Sequence, residues 1–79
     1  MNADVREKLS ASVGEYISSH RKLARLTQTE LAAKLEVTRQ TVAMLEAGRQ
    51  LPSFALLYRL AETFNVEVSG LLPTRKEVR

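Results

Sequence analysis

Seventy-nine residues allow one domain, with a small core and a thin stability margin. The lack of cysteine excludes disulfides, thiolate metal sites and cysteine nucleophiles, and a single histidine excludes a His-rich metal site. Twelve Lys/Arg against nine Asp/Glu leave a net charge of +3, which suits a nucleic-acid ligand without demanding one.

The first helix is expected from about Val5 to Leu23. Val5, Leu9, Val13, Tyr16, Ile17 and Leu23 recur at spacings a helical period accommodates, while Gly14 and the Ser pairs weaken it and fray its start before Leu9. Met1–Ser10 lacks the apolar segment of a secretory leader. No apolar stretch approaches the roughly 20 residues that span a bilayer, so a cytoplasmic protein without a membrane partner is expected.

Thr27 opens a second helix. Its hydroxyl can accept the Glu30 N–H while Glu30 reaches back to the Thr27 N–H, a capping box, and Leu26 can staple against Leu31. Leu31, Ala32 and Leu35 form the buried stripe. Glu36 and Val37 make a turn, and Thr38 caps a third helix. Its Val42 and Leu45 face inward, while Arg39, Gln40, Ala43 and Met44 fall on other faces. Gly48 supplies a left-handed stop. Ser53 caps a fourth helix lined by Phe54, Leu57, Leu60, Ala61 and Phe64. Val66, Val68, Leu71 and Leu72 form a last short helix, stopped by Pro73.

Strand signals are weak. The fold class is therefore all-α, a compact bundle of about five short helices with a central helix-turn-helix. Residues 1–12 are an N-terminal extension that starts the first helix, 13–72 the main domain, and 73–79 a loose polar tail.

Two short helices joined by a tight turn, the second opening on polar side chains, are how a small basic protein lays a helix in the major groove of DNA. Arginine pairs bidentately with guanine and glutamine with adenine, each worth roughly 1–3 kcal/mol of discrimination, so Arg39 and Gln40 are base-contact candidates. Gln28 lies at the positive end of a helix, where phosphate is welcome. Thr41, Arg49 and Lys34 are further phosphate candidates. The stretch His20–Gln50 holds six basic residues (Arg21, Lys22, Arg25, Lys34, Arg39, Arg49) against Glu30, Glu36 and Glu46. For most of these side chains the plainer alternative is a solvated helix surface, and for Thr41 it is packing on the first helix of the motif. No catalytic constellation appears: no Ser-His-acid pattern, no HExxH, no glycine-rich phosphate loop. An enzyme is not expected, nor a cofactor or metal.

The chain resembles the Cro/C1-type helix-turn-helix family, which includes phage repressors and the xenobiotic-response-element class of bacterial regulators. The motifs that carry the resemblance are LTQTELA (Leu26–Ala32), VTRQTVAMLEAGRQLPS (Val37–Ser53) and LAETFNV (Leu60–Val66), within a match from about Ile17 to Leu72. The resemblance implies a lambda-repressor-like bundle. It implies that Gln28 contacts a phosphate and that Ala32 is small where two helices cross. Thr38, Arg39, Gln40, Ala43 and Met44 would be the exposed positions of the recognition helix, with Thr38 and Met44 joining the base-contact candidates. Arg21 and Glu46 would form a structural ion pair, and Gly48 and Arg49 would approach the backbone. Two positions depart from the family: Glu36 stands where glycine is usual, at about 1 kcal/mol for a left-handed turn, and the Met44 thioether cannot donate to a base.

The function so implied is a sequence-specific double-stranded DNA-binding transcriptional regulator, a repressor. The alternative is an antitoxin or other interaction module that binds a toxin or other partner protein. A homodimer on a palindromic operator is expected, its half-sites about 34 Å apart. Leu56, Tyr58, Val68, Leu71 and Leu72 are the candidate dimer patch, with Val5 and Leu9 as the rival surface. No small-molecule ligand domain is expected.

Overall fold

Each helix of the protein begins or ends on an identifiable backbone device. The computed structural model describes residues 3–78. Its helices are Ala3–Leu23 (α1), Gln28–Leu35 (α2), Arg39–Glu46 (α3) and Phe54–Phe64 (α4), followed by a 3-10 helix, Val68–Leu71. The last of the five expected helices is thus a 3-10 turn, and no strand occurs among the described residues. No described helix is long and apolar enough to cross a membrane.

The capping box of α2 is complete. Glu30 N–H donates to Thr27 Oγ1 at 3.0 Å, and Thr27 N–H donates to Glu30 Oε1 at 2.9 Å. The Thr27 backbone bond, then the hydroxyl bond, hold the Glu30 carboxyl below the usual carboxylate range. A lowered carboxylate pKa stabilises the fold above the ordinary value of 4.5, and the contribution is lost as pH falls through the folded value. Thr27→Ala should lower stability by about 1 kcal/mol in urea denaturation. It should also raise the Glu30 pKa part of the way back in an NMR titration, because the backbone bond survives. Thr38 and Ser53 cap α3 and α4 in the same manner, accepting from Thr41 N–H and Leu56 N–H at 3.1 Å each.

The core is a single cluster of Val13, Ile17, Leu31, Ala32, Leu35, Val42, Leu45, Leu60, Ala61 and Leu71. All four α-helices and the 3-10 turn contribute to it, so no pair of elements has a finished core alone. α1 packs on α3 through Gly14, which is buried. A Cβ there would collide with the Leu45 carbonyl oxygen and lie 2.9 Å from that of Glu46. The residue that weakens α1 by propensity is therefore what lets the two backbones approach. Gly48, at φ +74°, ends α3 beside Ala11 of α1.

Several expectations are corrected. α1 starts at Ala3 and is helical through the stretch expected to fray. Met1, Asn2 and Arg79, at the ends of the 1–12 and 73–79 segments, lie outside the described residues. Leu23 is 80% exposed. Six residues advance a helix by about 600°, which turns Leu23 roughly 120° away from Ile17. Phe54 is 73% exposed, because helical side chains lean toward the N-terminus and the first residue of α4 leans past the core. Leu56, expected outside the stripe, packs partly against the core; it precedes Leu60 by one turn and lies about 40° from it. Leu71, a dimer candidate, is fully buried. Positions i and i+3 of a 3-10 helix eclipse, so Val68 and Leu71 both turn inward. The Tyr16 hydroxyl donates to Glu77 Oε2 at 2.8 Å, which brings a turn at 75–78 to α1.

Candidate nucleic-acid interface

The two faces of α3 are opposed. Val42 and Leu45 are buried, while Arg39 and Gln40 are exposed and Ala43 and Met44 half-buried. At about 100° per residue, Arg39, Ala43, Gln40 and Met44 occupy one contiguous face roughly opposite the buried pair. Thr38 is exposed at the helix start, but its hydroxyl is already engaged with Thr41, both by the N–H cap and by an Oγ1–Oγ1 bond of 3.0 Å. Either hydroxyl reaching a base or phosphate would have to share or give up that bond. Lys34 and Arg49 are exposed. Neither Arg39 nor Arg49 forms an ion pair with a carboxylate among the described residues.

Behind α3 lies a polar network. Arg21 Nε donates to Glu46 Oε2 at 2.6 Å and Arg21 Nη2 to Glu46 Oε1 at 3.0 Å, a bidentate pair. Only 13% and 7% of the two side chains are exposed. The hydrogen bond to Glu46 raises the Arg21 pKa above its ordinary value. Arg21 Nη1 donates to the Leu26 carbonyl at 2.8 Å. Gln28 Nε2 donates to Glu46 Oε1 at 3.1 Å. Three elements thus meet on one carboxylate: the end of α1, the start of α2 and the end of α3. The Gln28 amide, expected on a phosphate, directs one N–H at Glu46, which leaves the side-chain carbonyl and the second amide hydrogen for other partners. No buried side-chain nitrogen or oxygen among the described residues lacks a hydrogen-bond partner.

The α2–α3 turn is left-handed at Glu36, with φ 57° and ψ 42°. Glu36 N–H donates to the Ala33 carbonyl at 3.3 Å and Val37 N–H to that of Ala32 at 3.0 Å. Arg59 of α4 donates from Nη1 to the Leu35 carbonyl at 3.0 Å and from Nη2 to Glu36 Oε2 at 3.2 Å. Sequence reading missed Arg59, since its partners lie more than twenty residues away with no local periodicity to announce them. It also missed the role of Gly14, although a lone glycine between apolar helix positions is a signal of close packing.

Of the candidate dimer residues, Tyr58 and Leu72 are exposed at 59% and 41%. Leu56 and Val68 are half-buried against the core. His20 stacks on Phe64 with ring centroids 5.5 Å apart.

A helix-turn-helix family model matches residues 17–71. A protein of Methanothermobacter thermautotrophicus named as an uncharacterized HTH-type transcriptional regulator is 49% identical over 51 residues, 65% of this chain and 74% of that protein. Among solved structures, the SOS-response transcriptional repressor LexA from Eubacterium rectale is similar with a TM-score of 0.80 at 29% identity, over 87% of this chain and 73% of that one. Hydroxypropylphosphonic acid epoxidase from S. wedmorenis is also similar, with a TM-score of 0.77 and 26% identity over 85% of this chain, but the match spans only 36% of the epoxidase.

Proposed function

This chain belongs to the helix-turn-helix family, and on that premise we propose that it is a sequence-specific, double-stranded DNA-binding transcriptional regulator of the repressor kind. The observation that carries the reading is the opposition of faces on α3. Arg39 and Gln40 project from its first turn, while Val42, Leu45 and Glu46 fix the helix to the core and to α1 and α2. In this reading Arg39 and Gln40 read base edges, Met44 offers apolar contact to thymine methyls, and Thr38 is a further base contact. Lys34, Thr41 and Arg49 meet phosphates, and Gln28 keeps its free amide hydrogen for one. The LexA and Methanothermobacter names support a regulator. The epoxidase match is to a minor part of that enzyme and gives no reason to assign its activity here.

Two copies reading half-sites about one helical turn apart would supply the contact area that a single module lacks. Tyr58 and Leu72 are exposed large apolar side chains available for such a pairing, as are Phe54 and Leu23. Sedimentation at micromolar concentration should show a species of twice 8.9 kDa, and a lone 8.9 kDa species would count against it.

The deciding experiment is selection of bound fragments from a random DNA pool. An enriched palindrome is the expected result. Arg39→Ala or Gln40→Ala should then relax preference at single positions, by about 1–3 kcal/mol each. Lys34→Ala or Arg49→Ala should weaken all sequences alike and lower the salt slope by about one. Equal losses on every sequence from all four changes would place base readout elsewhere. A second reading, a module that covers a partner protein, draws on an apolar hollow of about 190 Å³ lined by Leu9, Val13, Leu51, Pro52, Leu57 and Leu72. A pool that yields no enriched sequence would favour that reading.

A further inference from the structure

We propose that Arg59 is a positioning residue for α3: reaching from α4, it clamps the left-handed turn that sets the angle of the DNA-reading helix. The inference rests on the reading of α3 given above and concerns a residue outside the helix-turn-helix itself.

The last carbonyls of a helix have no partner within it. At the end of α2, Val37 and Glu36 N–H groups satisfy Ala32 and Ala33. Leu35 is served by Arg59, whose positive charge also suits a helix C-terminus. The second arm of the guanidinium holds the carboxylate of Glu36, the residue that carries the positive φ. Glycine would relieve the backbone at that position but would offer no carboxylate. The side chain that strains the turn is therefore also the handle by which α4 grips it. Arg59 is anchored next to Leu60, which is fully buried, so the grip is referred to the core.

The ion pair itself is open to water, with 49% of the Arg59 and 78% of the Glu36 side chain exposed. Exposed pairs contribute little to global stability. Its effect should therefore appear in the geometry of the turn and in discrimination between DNA sequences, more than in a melting curve.

The test compares the full chain with R59Q, E36G and R59Q/E36G. The probes are the fragment enriched by the wild type, a random duplex of equal length, and amide exchange at Glu36 and Val37. In R59Q, exchange at both amides should quicken by about two- to tenfold, the range set by one hydrogen bond of ordinary net strength. Preference for the enriched fragment over random duplex should fall by a similar factor, with random-duplex affinity and salt slope unchanged. In R59Q/E36G both should recover, because glycine holds the left-handed turn without a clamp. Equal loss on both duplexes with a salt slope lower by about one would make Arg59 a phosphate contact and overturn the proposal. Failure of E36G to rescue, or unchanged exchange in R59Q beside an intact preference, would overturn it as well. A wild type that prefers no sequence would instead overturn the reading of α3, and the positioning role with it.

Discussion

Glu46→Ala is expected to lower the unfolding free energy by about 3 kcal/mol, the lower end of what removal of one partner from a buried pair costs. The lower end applies because the site is not the deep interior: Arg21 keeps 13% of its side chain open and can recover some hydration. The loss has three parts. Arg21 is left with its charge and only the Leu26 carbonyl as partner. The Gln28 amide loses the oxygen it donates to. The ends of α1 and α3 and the start of α2 lose the carboxylate on which they meet. Urea denaturation near neutral pH measures the change, and an unmoved midpoint would show the pair to be inert. Arg21→Leu/Glu46→Leu should restore much of the loss, since apolar side chains of similar volume need no partners.

Gly14→Ala should be almost as costly. In a free helix alanine is favoured over glycine by about 1 kcal/mol. Here the added methyl meets the carbonyl oxygens of Leu45 and Glu46. Both are backbone atoms that cannot swing aside as a side-chain tip can. Overpacking of this kind costs about 1–3 kcal/mol, and the collision should place the net effect near 2 kcal/mol of destabilisation. Relief would require α3 to move away from α1, so preference for the enriched fragment should fall further than affinity for random DNA. A rise in the denaturation midpoint would show that α1 and α3 separate without penalty.

Much of the local structure was legible because it is written over a few adjacent residues. Thr27, Thr38 and Ser53 cap because each hydroxyl reaches an N–H three residues on. Gly48 stops α3 through its own backbone freedom. Glu36 adopts a left-handed turn, φ 57°, at the position where the resemblance implies that glycine is usual. The inward set Val13, Ile17, Leu31, Ala32, Leu35, Val42, Leu45, Leu60 and Ala61 follows from helical spacing. The motifs themselves pointed to the family.

Where the reading failed, helix geometry or distance in sequence was the reason. Leu23 and Phe54 fit an apolar pattern, but Leu23 lies about 120° round α1 from Ile17 and Phe54 leans past the core from the first residue of α4. Leu71 looked available for a partner copy until the 3-10 turn folded it beneath α1 and α4. The bond from the Gln28 amide to Glu46 was not foreseen, because its partner is eighteen positions away.

The sequence by itself determined the helices, their caps and stops, the faces that must be buried and the side chains that α3 presents at its start, because each depends on dihedral preference and on periodicity within a turn or two. Only the tertiary structure decided that Gly14 is a crossing point, that Glu46 joins three elements and that Arg59 grips the turn. Those roles arise from close approach between segments far apart in the chain, and no local pattern encodes the distance between two backbones.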